Sequence, residues 1–308
     1  MADPLVSAIA AKSYHLIFNP ISGPGEPGAK LMEIQSALEL LPNFTTHLTK
    51  PDVSAQELAQ QAVVAGADVV IAAGGDGTVS GVAKALVDTD VALGIIPAGT
   101  ANAFAAALQI PENYRDACEI IKAGRSQRLD TARCNGEMML LVACIGFESN
   151  LLNRMDREEK SRLGKLAIVT NSFQELERIE QFEAQVHTDQ EQWQEMTTAV
   201  TIANTATASM VLAQGPPQNT ADDGTLSITM VTPNHKWDML MSAADLFLSA
   251  VQQRPAQSDT VHWYESRRVE VTTEPPQAVF VDGEPAGKTP LTVECRPRSL
   301  TVLTPPSR

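Results

Sequence analysis

Aromatic residues are scarce, 5% of the 308-residue chain, and long hydrophobic runs are missing altogether. Stretches such as VVIAAGG are interrupted far short of the roughly 20 apolar residues that a bilayer-spanning helix requires, so a soluble or peripheral protein is expected. Cysteine is rare as well. Cys118, Cys134, Cys144 and Cys295 form no CxxC pair and no zinc-type spacing, which argues against a disulfide framework or a thiolate metal centre. The N-terminus lacks a basic segment leading into a signal-type apolar core. Reduced thiols and a cytoplasmic location, with at most a peripheral position at the inner membrane face, are the expectation. Basic side chains are outnumbered, 23 against 37 acidic, for a formal charge of −14. That balance repels nucleic acid and disfavours broad adsorption to an anionic membrane, so any contact with a lipid surface has to be local. Internal repeats and low-complexity tracts are absent.

What is present from Tyr14 onward is a regular alternation. YHLIF, TTHLT, DVVIAA and VALGIIP have strand character. KLMEIQSALELL, SAQELAQQAVVAG, TVSGVAKALVD, TANAFAAAL and YRDACEIIKAG have helical character. Strands separated by helical patterns predict a parallel sheet covered by helices, an α/β domain over about residues 1–125. After Gly124 the pattern changes to apolar or alternating runs: MMLLVACIGFE, AVTIAN, LSITMVT, RRVEVTTE and AVFVDGE. These predict antiparallel strands in a mostly β second domain over about residues 126–297. Helical stretches at RLGKLAIVTNSFQELERI and WDMLMSAADLFLSAV interrupt it.

In an open parallel sheet, ligands collect at the carboxyl ends of the strands, where helix N-termini present unpaired amides. GGDGT ends the third strand there. Gly74, Gly75 and Gly77 let backbone N–H groups approach phosphate oxygens, Asp76 is placed to reach a magnesium ion or its water shell, and Thr78 is placed to cap the next helix and touch phosphate. A tight connection with an exposed aspartate is the plain alternative. FNPISG ends the first strand and PAGTANAFA the fourth. Alone, Asn19 reads as a turn residue and Thr100 or Asn102 as a helix-start residue. Three such turns on one sheet edge predict a nucleotide cleft.

NPISG, GGDGT and GTANAFA in this order, followed by DDGTL and VDGEP in a β-rich region, resemble the bacterial diacylglycerol-kinase-type lipid kinases. The resemblance runs from about Tyr14 to Val302. GGDGT alone is shared with NAD kinases and resembles a phosphofructokinase turn; GTANAFA and the late DGE are more specific. The resemblance implies an NAD kinase/phosphofructokinase-like N-terminal domain and a C-terminal β sandwich, with ATP and Mg2+ as cofactors. It implies that ATP binds in a cleft between the domains, and that the last strand, about residues 298–308, returns to the first domain. It also implies nucleotide contacts at Asn19, Thr49, Gly74, Gly75, Asp76, Gly77, Thr78, Val79, Ser80 and Thr100. A lipid substrate met at a membrane surface, and a possible homodimer, are the partners it implies.

By residue pattern alone, VFVDGEPAG is a hairpin entering an Asp-Gly turn, with Asp282 shaping the turn. The resemblance places the family's catalytic base at Glu284, where a carboxylate would accept the proton of an attacking alcohol. NTADDGTLSI is a polar loop before a strand; the resemblance implies a structural magnesium on Asp223 with the carbonyls of Thr220 and Thr225, an oxygen-only shell suited to a hard cation. Asp222 is an additional neighbour without an assigned role. RMDREEKSRLGKL reads as a solvated face, within which Lys160 matches a lysine of the family. The chain departs from the family at three points: Pro24 follows NPISG where lysine is common, so that contact is missing or moved to Lys30; Ala103 stands for an aspartate; and Ile168 stands for a tyrosine. Two rivals remain open on sequence grounds: an NAD kinase-like enzyme with a soluble acceptor, and a non-enzymatic nucleotide or lipid sensor.

Overall fold

The computed structural model describes residues 12–146, 180–206, 221–233 and 258–306, with residues 238 and 245. The chain divides into two compact units, residues 1–129 with 298–308 and residues 130–297.

In the first unit the elements run β1 (Tyr14–Phe18), α1 (Pro27–Leu38), β2 (Phe44–Leu48), α2 (Ala55–Val64), β3 (Val69–Gly74), α3 (Asp76–Leu86), β4 (Ala92–Pro97), α4 (Ala103–Ala107) and α5 (Tyr114–Ala123). The strands pair in parallel in the order β2-β1-β3-β4. The central strands β1, β3 and β4 are buried along their whole length, as strands covered on both faces must be. This explains the unbroken apolar runs of β3 and β4 and the single polar interruption, His15, in β1. Helix starts are set by local chemistry. Glu26 accepts from the N–H groups of Gly28 and Ala29 ahead of Pro27, which holds its carboxyl below the usual range. Ser54 and Glu57 form a reciprocal capping box on α2. Asn113 caps α5, which ends at the left-handed Gly124.

On the sheet, His15 of β1 and His47 of β2 stack with centroids 5.2 Å apart, and Nδ1 of the first lies 3.0 Å from Nε2 of the second. His15 is buried. Burial, and for His15 the neighbouring His47, lower both imidazole pKa values. The folded state therefore favours neutral rings. Their stabilisation is complete above the unfolded-state value near 6.5 and is lost as pH falls from there towards the folded values. The melting temperature should drop between pH 7.5 and pH 5, and His47→Gln should blunt that drop; an identical acid response in the variant would rule the pair out as its cause.

The second unit carries β5 (Ser126–Cys134, which crosses the division), β6 (Glu137–Met139), β7 (Val142–Gly146), β8 (Phe182–Thr188), β9 (Gln192–Thr197), β10 (Ala199–Ala203), β11 (Leu226–Val231), β12 (Val261–Ser266), β13 (Arg268–Glu274), β14 (Ala278–Val281), β15 (Glu284–Lys288) and β16 (Leu291–Leu303). One antiparallel sheet has the order β12-β11-β10-β7-β14-β15. In the other, β13 lies between β8 and the first part of β16, and β9 pairs with β8. Ile145, Val200, Ile202, Ile228 and Met230 from the first sheet pack with Val186, Val269, Val271 and Val293 from the second in one core, which is a β sandwich. The last residues of β16 belong to the first unit, where Val302 pairs in parallel with Leu93 of β4.

The run MMLLVACIGFE is not one strand. It breaks between β6 and β7 because the N–H groups of Leu140, Leu141 and Val142 turn to the carboxylate of Asp282. The polar strands SQRLDTARC, FEAQVHT, QWQEMT and VHWYES were not legible as such. The two helical stretches expected in this half lie, apart from residues 238 and 245, outside the described residues, as do Lys160 and Ile168. None of the four cysteines is in a disulfide, and all are buried; burial pushes Cys118 and Cys134 up to about 11 and Cys295 to about 12, so these three thiols are chemically quiet. Among the described residues no helix is long and apolar enough to cross a membrane.

Candidate functional site

The three turns at the carboxyl edge of the first unit's sheet touch one another. Gly23, at φ +60°, lies so close to the β4 turn that a Cβ there would stand 2.2 Å from the carbonyl oxygen of Ala98. A Cβ on Gly99 would come within 2.4 Å of the Cα of Gly75. These contacts explain the glycines better than turn propensity does: the backbones of NPISG, GGDGT and PAGT occupy the space that side chains would need. Asn19 serves two of the turns. Its Oδ1 accepts from Ile21 N–H at 3.1 Å, and its Nδ2 donates to Thr78 Oγ1 at 3.0 Å.

Asp76 is the first residue of α3, and its Oδ1 accepts from Phe104 N–H at 3.3 Å. It thereby serves the N-terminus of α4, joining GGDGT to GTANAFA. Burial raises its carboxyl pKa, opposed by hydrogen bonds from the amides of Phe104, Ala103 and Asn102. The expectation of an exposed aspartate in a simple turn is thus corrected. Asn102 occupies the cap position of α4 in a left-handed conformation, but its side chain bonds the N–H and carbonyl of Gly99 instead of the helix.

Thr78 is also corrected. The chain is already helical at Asp76, so Gly75 holds the cap position, while Thr78 is buried one turn in with its hydroxyl on Asn19. Gly75 offers no side-chain cap; the Thr78 and Val79 amides bond the Gly75 carbonyl and the Asp76 amide its own carboxylate, so an outside acceptor would be met by the Gly75 and Gly77 amides. Val79 is buried and its N–H bonds Gly75, so it lines the core side of the turn. Ser80 is half-buried on α3, Gly77 and Thr100 are exposed, and Thr49 is half-buried just beyond β2 with its N–H on Phe18. Lys30 is buried, and its Nζ donates to the carbonyls of Ser22 at 2.8 Å and Gly23 at 3.3 Å. The lysine absent after NPISG is therefore answered from α1, by a cation holding the turn from behind.

In the second unit, Asp282 and Gly283 take φ of +50° and +85°, the requirement of a two-residue hairpin turn, and Glu284 opens β15, exposed and paired with Val281. Asp223 Oδ1 accepts from the N–H and hydroxyl of Thr225 at 2.9 and 3.0 Å. Thr220 lies outside the described residues. Sequence reasoning missed Asp130. It is fully buried, its N–H bonds Ala221, and its Oδ2 accepts from Gly224 N–H at 2.6 Å, so it fastens the DDG loop from β5. A lone acid in the otherwise strand-like RLDTA was the only signal.

Residues 13–134 match the diacylglycerol kinase catalytic domain, and residues 142–304 match the YegS C-terminal NAD kinase beta sandwich-like domain. The chain belongs to this family of lipid and diacylglycerol kinases, and it is a phosphotransferase of the diacylglycerol-kinase type. It is 40% identical over 305 residues to an uncharacterized protein of Synechocystis sp., covering 96% of this chain and 70% of that one. It is 30% identical over 263 residues to a Stenotrophomonas maltophilia protein named "Probable lipid kinase YegS-like", covering 81% and 83%. The crystal structure of a diacylglycerol kinase from Bacillus anthracis superposes with a TM-score of 0.76 at 22% identity, over 96% of this chain and 97% of that one, and so shares its fold.

Proposed function

We propose that the protein transfers the γ-phosphoryl group of ATP to a lipid hydroxyl, with diacylglycerol the first candidate, and that Glu284 is the general base. The observation that carries this reading is the interlocked cluster of NPISG, GGDGT and GTANAFA, with uncapped amides at the start of α3, in a chain whose family is described by diacylglycerol kinase activity. The amides of Gly75 and Gly77 and the side chain of Asn19 would hold the nucleotide's phosphates, with Lys30 adding positive potential from behind the turn. The acceptor oxygen attacks the γ-phosphorus, a new O–P bond forms as the bond to the β-phosphate oxygen breaks, ADP leaves, and the hydroxyl proton passes to the Glu284 carboxylate. The acceptor is met at a membrane surface by local contact, consistent with the charge of −14.

Among the described residues, the Asp223 carboxylate, whose Oδ1 already accepts from Thr225, and the Thr225 carbonyl are oxygen donors of the kind Mg2+ takes. With Thr220 they would hold it, and the ion would tie the two ends of the DDG loop together. Because it binds the folded form alone, EDTA should lower the melting temperature of the parent, and Asp223→Ala should remove most of that sensitivity. An equal response in both proteins would move the stabilising ion elsewhere.

Transfer of label from ATP to a panel of extracted lipids tests the reaction itself. Labelled phosphatidic acid is the expected product; turnover with NAD and none with lipid emulsions would favour the soluble-acceptor rival, and ATP binding without transfer to any acceptor would favour the sensor.

A further inference from the structure

Three consecutive backbone N–H groups converge on one carboxylate in the second unit. Leu140 N–H donates to Asp282 Oδ2 at 2.8 Å, while Leu141 and Val142 N–H donate to Asp282 Oδ1 at 2.8 and 3.0 Å. Asp282 N–H returns a bond to the Val142 carbonyl at 2.9 Å. The segment that grips Asp282 is itself braced from β10's end. Asn204, 1% exposed, donates from Nδ2 to the carbonyls of Leu140 at 2.9 Å and Asp130 at 3.1 Å, and its N–H bonds the Leu141 carbonyl at 2.8 Å. Both Nδ2 bonds end on carbonyls, so the amide orientation is fixed by its partners. Asn204 Oδ1 is left buried without a donor, a cost that the fold accepts to keep the two bonds in place.

An ordinary Asp-Gly hairpin needs none of this. Its φ values and the pairing of Val281 with Glu284 already define the turn, and β15 beyond it is exposed along its whole length. The hydrogen bonds fasten a half-buried turn to a buried strut, and the first side chain past that turn is the exposed Glu284. We infer that Asp282 and Asn204 are positioning residues that hold the Glu284 carboxylate in its working place, Asp282 directly through the turn and Asn204 through the Leu140–Val142 amides. This rests on the reading of Glu284 as the base.

The test is a double-mutant cycle on the full chain, with labelled ATP and dioleoylglycerol in detergent micelles. Asp282→Asn keeps the shape and tolerates the positive φ, but it sets an NH2 group against one of the three donors. Turnover should fall about ten- to a hundredfold, the range for a small misplacement of a reacting group, with the KM for ATP within about twofold because a misplaced base leaves nucleotide binding intact. In a Glu284→Gln background the same substitution should cost nothing further, since the group being positioned has gone. A purely structural role predicts the same fractional loss in both backgrounds, and that result, or near-parental turnover of Asp282→Asn alone, overturns the inference while leaving the base intact. Full turnover of Glu284→Gln overturns the base and this inference with it. Should Asp282→Asn fail to fold, Asn204→Ala, which leaves the Asp282 carboxylate in place, carries the same cycle with the same outcomes.

Discussion

Glu284→Gln is expected to yield a folded, ATP-binding protein whose turnover is lower by about two to four orders of magnitude, the range for loss of a general base. Glutamine keeps the shape of glutamate and its capacity for hydrogen bonds, but its amide takes up no proton at neutral pH. The structure sharpens the expectation. Glu284 is exposed, and the turn before it is held by Asp282 and not by its own side chain. The substitution therefore removes no buried contact, and the melting temperature should stay within about a degree, as for surface changes in general. A variant that retains more than about a tenth of parental turnover lies outside the general-base range and would reduce VDGEP to an ordinary hairpin.

Asp76→Ala is expected to lower turnover by about a hundredfold or more, the scale of a displaced reacting centre. It should also cost stability, which a solvent-exposed turn residue would not. Asp76 accepts from the amide of Phe104, and loss of such a helix-start acceptor typically costs about 1 kcal/mol, or about 2–4 °C in a domain of 150–250 residues. Asp76→Asn separates the two effects. It retains an oxygen for Phe104 N–H, so its melting temperature should stay near the parent's while activity remains low if the charge is required. Near-parental turnover of either variant at saturating ATP would remove Asp76 from the catalytic apparatus.

Much of the first unit was legible because its strands are buried on both faces. VVIAA and ALGIIP are continuous apolar runs and YHLIF is one broken only by His15, all between helical patterns, and that signal is local. The second unit was harder. QWQEMT and VHWYES show no clean alternation to read: Met196 and Trp263 stand at exposed positions while Glu195 and His262 are half-buried, and VHWYES pairs with Leu226–Val231, well before it in the chain. MMLLVACIGFE misled for the opposite reason: its apolar run is continuous, but its amides are claimed by Asp282, some 140 residues later.

The chemistry of the candidate site was written locally: glycines at the ends of β1, β3 and β4, an aspartate at the start of α3, and a glutamate just past an Asp-Gly turn, each recognisable from a few neighbouring residues. The sequence by itself also determined the charge balance, the order of strands and helices in the first unit, and the change to β structure after Gly124. Only the tertiary structure decided what those residues do to one another. It turned Asp76 from an exposed turn residue into the acceptor that joins two loops, withdrew Thr78 from the cap to Asn19, placed Lys30 behind the NPISG turn, and buried Asp130 against the DDG loop. It also returned residues 298–303 of β16 to the first unit beside β4. The reason is physical. A periodic pattern reports which face of an element is buried, whereas a hydrogen bond between residues dozens of positions apart depends on distances that exist only once the chain has closed on itself.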